Sequence, residues 1–303
     1  MSSKYAYVGL LYGDSEYFLA ALLYGFTLQK TNPKYDSVLM ITPDIPKKQR
    51  EVLSVYFKLI EVDYIYAHSD NFTKQDSRFS QIFTKMHLFN LDQYEKVLML
   101  DIDIIVLHNL DHLFELSAPA AHYRNEILDH GSKVPTGRIY LKKGIVQNGI
   151  NAGTMLLEPN KKEFKRIVKE IKNPLGYKVN APEQEYLSYI YRDKWTHLDF
   201  SYLCMFDKDD LMKKYNYSIH DIMILQYAWI LKPWDLVLDN RHKVYSILKK
   251  QSKDITYYTL WAHHYRLVKR ILQNRGLDID ICYTKKNLYS DQIDNLYKKL
   301  QKY

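Results

Sequence analysis

The sequence predicts an α/β protein: a doubly wound, mostly parallel sheet flanked by helices, with C-terminal helices packed on one side. Three observations carry that expectation. Short apolar runs alternate with helical patterns through the first hundred residues, the order of a parallel sheet with crossover helices. One run, Lys96–Leu100, is apolar after its first residue and ends on two carboxylates, Asp101 and Asp103. A chain of 303 residues, 47% hydrophobic and 26% charged, also has ample material for a large core.

Taken in order, Tyr5–Leu11 reads as a strand, closed by Gly13-Asp14-Ser15 as turn and helix cap. A helix follows over residues 17–29, with Phe18, Leu22 and Phe26 beside Leu19 and Leu23 at helical spacing. Residues 37–41 give a second strand, ended by Thr42-Pro43. Pro46 opens a helix to about residue 57, because its fixed φ suits a first helical turn. Residues 59–64 form a third strand, 68–78 a polar loop and 80–91 a helix, before the strand Lys96–Leu100. The pattern then changes: a short helix over 111–116, an irregular polar stretch over 124–143 and a strand over 149–157. Helices over 161–172 and 183–191 precede a short strand at 195–198. Residues 225–233 lead into Lys232-Pro233-Trp234, and a lysine-rich helix runs from residue 283.

The two aspartates carry the chemistry. In an extended segment residues i and i+2 share a side, so Asp101 and Asp103 point together. Adjacent negative charges against an apolar core repel and are costly to desolvate unless a cation sits between them. Carboxylate oxygens suit a hard divalent ion, Mn²⁺ or Mg²⁺, held alongside a substrate phosphate. In an open α/β sheet a ligand sits beyond the carboxyl ends of the strands, which is where this pair falls.

Other classes are excluded in turn. The net charge of +8 favours anionic partners, but the lysines are scattered through the predicted helices, so no nucleic-acid partner is expected. Cys204 and Cys282 lie far apart without a Cys-x-x-Cys, giving neither a zinc site nor a disulfide framework. No run approaches the roughly 18 apolar residues of a membrane span. The first residues lack a signal-peptide pattern, so a soluble, cytoplasmic protein is expected, with no membrane partner.

An ordered set of motifs over roughly residues 5–234 resembles the retaining glycosyltransferases of family eight, the glycogenin-like members most of all. The pieces are Leu11-Tyr-Gly-Asp14-Ser-Glu-Tyr17, Thr42-Pro43, Thr84-Lys85-Met-His87, Leu100-Asp101-Ile-Asp103, Asn109-Leu-Asp111-His-Leu-Phe114, Asn151-Ala-Gly153, Glu183-Gln184 and Lys232-Pro-Trp234. The resemblance implies a single GT-A domain: a nucleotide-binding half (about 1–115), an acceptor and sugar half (about 116–240) and a helical tail (about 241–303). It implies transfer from a UDP-sugar, UDP-glucose first and UDP-galactose second, with Mn²⁺ or Mg²⁺ bridging Asp101, Asp103 and the diphosphate. Leu11, Gly13, Asp14 and Tyr17 would contact uridine, and the Ile102 backbone the ribose. Arg78 and Lys85 would address phosphate or sugar oxygens. Asn151, Ala152, Gly153, Glu183 and Gln184 would line the donor sugar, and Lys232 would hold the leaving phosphate. By the same resemblance Asp101, Asp103, Glu183, Gln184 and Lys232 form the catalytic set.

One departure stands out. The family motif His-x-x-Gly-x-x-Lys-Pro-Trp is here Gln226-Tyr-Ala-Trp229-Ile-Leu-Lys232-Pro-Trp. Gln226 therefore takes the third metal position, with His220 or His263 as possible substitutes. Tyr202, in Phe200-Ser-Tyr202, holds the place of a self-glucosylated tyrosine, in its own subunit or across a homodimer. The acceptor is then that tyrosine and its growing glucan, or a separate glycan. A galactosyltransferase and a non-catalytic nucleotide-sugar binding protein remain the alternatives, the latter suggested by Gln226 and Trp229.

Overall fold

A computed structural model describes residues 3–74, 80–205, 216–228, 232–236, 246–247, 249 and 256–279. Its centre is a seven-stranded sheet in the order β10-β6-β9-β4-β1-β2-β3. These strands are β1 (Tyr5–Leu11), β2 (Asp36–Ile41), β3 (Lys58–Glu61), β4 (Lys96–Leu100), β6 (Ala120–Tyr123), β9 (Ile150–Leu157) and β10 (Thr196–His197). Four of the six pairings are parallel, and only β9 runs against its neighbours β4 and β6. The mixed, mostly parallel α/β architecture is the expected one.

Helix α1 (Tyr17–Lys30) differs from the amphipathic stripe that the sequence suggests: every residue from Phe18 to Leu28 is buried. One side lies on the sheet, while α2 (Lys47–Leu53) and α5 (Thr256–Gln273) cover the rest. Its apolar residues therefore surround the axis, as in any enclosed helix. The opposite face of the sheet carries α3 (Lys161–Ile171), α4 (Pro182–Ile190) and the segment Ile82–Asn90. That segment, expected to be helical, is a 3₁₀-helix. Each face has its own apolar core, one around α1 and one around Phe83, Met86 and Phe89.

Two features escaped the sequence reading. β6 is a buried interior strand, and the stretch expected to be irregular holds a hairpin, β7 (Tyr140–Lys142) with β8 (Ile145–Gln147). A small second sheet, β11 (Cys204–Met205), β12 (Ile224–Gln226) and β5 (Ile104–Val106), positions the site. β12 runs antiparallel to β5 with Gln226 opposite Ile104, and Tyr227 N donates to Asp103 O at 2.8 Å. This pairing brings Gln226 beside the aspartates from more than a hundred residues away. The lysine-rich tail from residue 283, with Cys282 and Trp229, lies outside the described residues. Among the described residues no helix is long and apolar enough to cross a membrane.

Candidate active site

β4 ends at Leu100, and Asp101, Ile102 and Asp103 form a bend before β5. The backbone N–H of Asp101 still donates to Gly153 O (2.8 Å), so the pair is anchored to β9 as the sheet ends. The bend faces a cleft of about 380 Å³ above the carboxyl ends of β1 and β4. Leu11, Gly13, Asp14, Tyr17, Lys85, Asp101, Ile102 and Asp103, all expected at the site, line it. Gly13 adopts φ +76°, a conformation that favours glycine, and its N–H donates to Thr42 Oγ1 at 3.2 Å. Asp14 accepts from Gln49 Nε2 at 2.8 Å.

The aspartates are held by cations and an amide. Lys85 Nζ donates to Asp101 Oδ1 (2.9 Å) and to Glu183 Oε1 (3.0 Å), with the lysine buried. Lys232 Nζ donates to Asp103 Oδ2 (2.7 Å) and to the Tyr227 carbonyl (2.6 Å). Gln226 Nε2 donates to Asp101 Oδ2 (2.9 Å) and, weakly, to Asp103 Oδ1 (3.5 Å). Burial pushes the Asp101 carboxyl up, against the pull of Lys85, and Asp103 adds to the rise. Burial also pulls the Lys85 ammonium down, but Asp101 and Glu183 outweigh it and hold the group above its ordinary value. Lys85 thus bridges two carboxylates at the cleft floor.

The donor-sugar side forms around Gly153. Asn151 Oδ1 accepts from Gly153 N (2.9 Å), and Gln184 Oε1 accepts from Ala152 N (3.0 Å). A Cβ on Gly153 would lie 3.0 Å from Gln226 Nε2 and 2.6 Å from Leu203 Cδ1, so only glycine leaves the amide its place. Tyr17 sits edge-on to Trp234 (centroids 5.0 Å), with Lys232 Nζ 5.5 Å from its ring, which ties the Lys-Pro-Trp segment to the nucleotide side.

The oxygen-rich set fits a hard divalent ion. Gln226 Oε1 is buried with no hydrogen-bond partner among the described residues, and it lies on the same amide that touches both carboxylates. His220 and His263 are exposed on other elements, and no cluster of three His, Cys, Asp or Glu able to hold a metal occurs among the described residues. Neither histidine therefore takes the third position. Arg78 lies outside the described residues.

Tyr202 does not line the cleft. Its hydroxyl meets His112 Nε2 at 2.8 Å and its ring stacks on His130, centroids 4.9 Å apart. Tyr64, Gln81 and Ile82 do line it, and sequence reasoning missed them. Gln81 and Ile82 precede Lys85 by about one helical turn, a spacing that could have flagged them. Tyr64 follows the third strand, on the ligand end of the sheet, and donates to Asp44 Oδ2 at 3.0 Å.

Fold and site together define a GT-A glycosyltransferase. The chain belongs to glycosyl transferase family 8, whose profile matches residues 10–237. It is 39% identical over 275 residues to the uncharacterized protein R707 of Acanthamoeba polyphaga mimivirus, covering 88% of this chain and 95% of that one. Inositol phosphorylceramide glucuronosyltransferase 1 of Arabidopsis thaliana is 28% identical over 192 residues, 63% of this chain and 31% of the plant protein. Glycogenin of Komagataella phaffii is 21% identical over 256 residues, 76% of this chain and 58% of that one. The chain thus spans nearly the whole viral relative but about a third of the plant enzyme. Among solved structures, the glycosyltransferase GlyE of Streptococcus pneumoniae TIGR4 shares the fold (TM-score 0.55, 19% identity, 95% of this chain and 66% of that one).

Proposed function

We propose that this glycosyltransferase transfers a neutral hexose, glucose first and galactose second, from a UDP donor to a separate glycan, with Mn²⁺ or Mg²⁺ as cofactor. The observation that carries this reading is the orphaned Gln226 carbonyl beside the paired aspartates at the cleft floor. Asp101, Asp103 and Gln226 would hold the ion. When bound, it neutralises charge that develops on the departing diphosphate.

The chain's own residues supply the rest. Leu11, Gly13, Asp14 and Tyr17 bind the nucleoside, and Ile102 bounds the ribose. Asn151, Ala152, Gly153 and Gln184 form the sugar wall, and Lys232 meets the leaving phosphate. Glu183 shares Lys85 with Asp101, and that ion pair lowers its nucleophilicity. This favours same-side attack, in which the departing phosphate takes the acceptor proton, over a covalent glycosyl intermediate. A neutral sugar is favoured over a glucuronosyl group because Lys85, the one cationic side chain among the described cleft-lining residues, is tied to carboxylates. The engagement of Tyr202 with His112 and His130 supports a separate acceptor. We assign the whole matched region to one domain.

The test is transfer from a panel of UDP-glucose, UDP-galactose and UDP-glucuronate to oligosaccharide acceptors, with Mn²⁺ and with chelator. Asp103→Asn is the informative variant, since it keeps an oxygen for Lys232 where alanine would strand a buried ammonium. Activity of the variant should fall at least about 100-fold with the fold intact, as expected when charge stabilisation of the transition state is lost. Wild-type rates from Asp103→Asn, or full activity in chelator, would remove the metal from the mechanism.

A further inference from the structure

Lys232 faces two claims on one ammonium. It is buried, its Nζ donates to Asp103 Oδ2 at 2.7 Å and to Tyr227 O at 2.6 Å, and it stands 5.5 Å from the ring of cleft-lining Tyr17. Its backbone N–H donates to buried Asp235 Oδ2 at 3.0 Å, which fixes the start of the Lys-Pro-Trp segment. Lys85 occupies Asp101 in the same way, and the Gln226 amide N–H group bridges both carboxylates. Three carboxylates, Asp101, Asp103 and Glu183, therefore meet two ammoniums and an amide donor, and little negative charge is left to attract a cation.

We propose that Lys232 is a displaceable counter-ion that suppresses metal binding until a nucleoside diphosphate draws it away from Asp103. The inference rests on the proposed metal-dependent reading and adds an order to it. An ammonium at hydrogen-bond distance from one ligand oxygen opposes a divalent cation at the same carboxylate by direct Coulomb repulsion. A diphosphate carries more negative charge than Asp103 and offers several acceptor oxygens, so it competes well for the ammonium. Once Lys232 turns to phosphate, Asp103 regains its charge, and the Gln226 amide, which no longer needs to donate to the aspartates, can turn its orphaned carbonyl to the ion. By linkage, metal and nucleotide then favour each other equally. Lys85 cannot act this way, because it is shared between two carboxylates.

Three titrations by calorimetry test this with the full chain: Mn²⁺ without nucleotide, UDP in chelator, and Mn²⁺ with UDP present. Lys232→Met should tighten Mn²⁺ binding at least about tenfold, because a unit charge a few ångströms from a divalent ion repels it by more than that factor even at the dielectric of water. The same variant should weaken UDP binding. Lys232→Arg, which keeps the charge, should stay close to wild type for Mn²⁺. Lys232→Gln, which keeps a donor for the Tyr227 carbonyl, should follow Lys232→Met and stands in for it if that variant folds poorly. Opposite signs for the two ligands separate this role from a structural one, which would weaken both. Equal or weaker Mn²⁺ binding by Lys232→Met and Lys232→Gln overturns the inference while leaving the metal reading intact. Absence of Mn²⁺ binding by the wild type even with UDP present would overturn that reading and this inference with it.

Discussion

Gly153 shows how one missing carbon shapes the cleft floor. Its backbone carbonyl receives Asp101 N, and its bare Cα lets the Gln226 amide lie against β9 and reach both aspartates. With Gly153→Ala, the new Cβ would meet Leu203 Cδ1 at 2.6 Å and the amide at 3.0 Å, and both must shift. The expected cost is about 1–3 kcal/mol of stability, as for overpacking a filled core, with weaker Mn²⁺ binding in the presence of UDP. Thermal unfolding and a metal titration check it, and a variant with unchanged metal affinity would remove Gln226 from the ligand set. At this scale the aspartates were legible, because a buried strand ending on two carboxylates is costly without a partner. The Lys85 bridge to Asp101 and Glu183 was not, since Lys85 and Glu183 are 98 residues apart and only the packing of the 3₁₀-helix against α4 brings them together.

At the scale of elements, long runs with one clear period were read well and short buried ones were not. β1, β2, β4 and β9 announced themselves as aliphatic runs. β6, four residues of Ala-Ala-His-Tyr after Pro119, is buried on both faces and too short to show a period. The β7–β8 hairpin does carry a local signal. Lys143-Gly144 is a two-residue connection with φ 51° and 71°, the pairing that a type I′ turn requires. Where β6 meets β10, His122 and His197 pack with ring centroids 5.1 Å apart. Tyr123 N donates to His197 Nδ1 at 3.1 Å, while Nε2 is buried with no partner among the described residues. Burial, helped by the neighbouring His122, pulls the His197 imidazole from 6.5 down to about 4. The unfolded chain therefore takes up the proton first as pH falls. Stability from this group is complete above pH 6.5 and is lost as pH drops towards 4, by at most about 3 kcal/mol. His197→Gln keeps an acceptor for Tyr123, so its melting temperature should fall less between pH 7 and pH 5 than that of the wild type. An equally steep decline would show that His197 does not govern acid sensitivity.

At the scale of the whole molecule, the cleft opens above the carboxyl ends of β1 and β4, and Tyr202 belongs to a different cluster. Its 3₁₀-helix, Phe200–Leu203, packs beside β9 and β12, and the Tyr202 carbonyl accepts from Thr154 Oγ1 at 2.8 Å. From there the side chain turns to His112 and His130, and burial raises its hydroxyl pKa. An acceptor hydroxyl must approach the donor sugar and lose its proton as the bond forms, and here the hydroxyl is already engaged and harder to ionise. The motif that pointed to this residue specifies local sequence and says nothing about side-chain direction. Incubated with UDP-glucose and Mn²⁺, the protein should keep its intact mass while an added oligosaccharide gains hexose. Tyr202→Phe should lose only the bond to His112, about 1 kcal/mol, and should transfer at the wild-type rate. Hexose found on Tyr202 by peptide mass spectrometry, and lost in Tyr202→Phe, would overturn the separate acceptor and require the Phe200–Leu203 segment to reorganise during turnover.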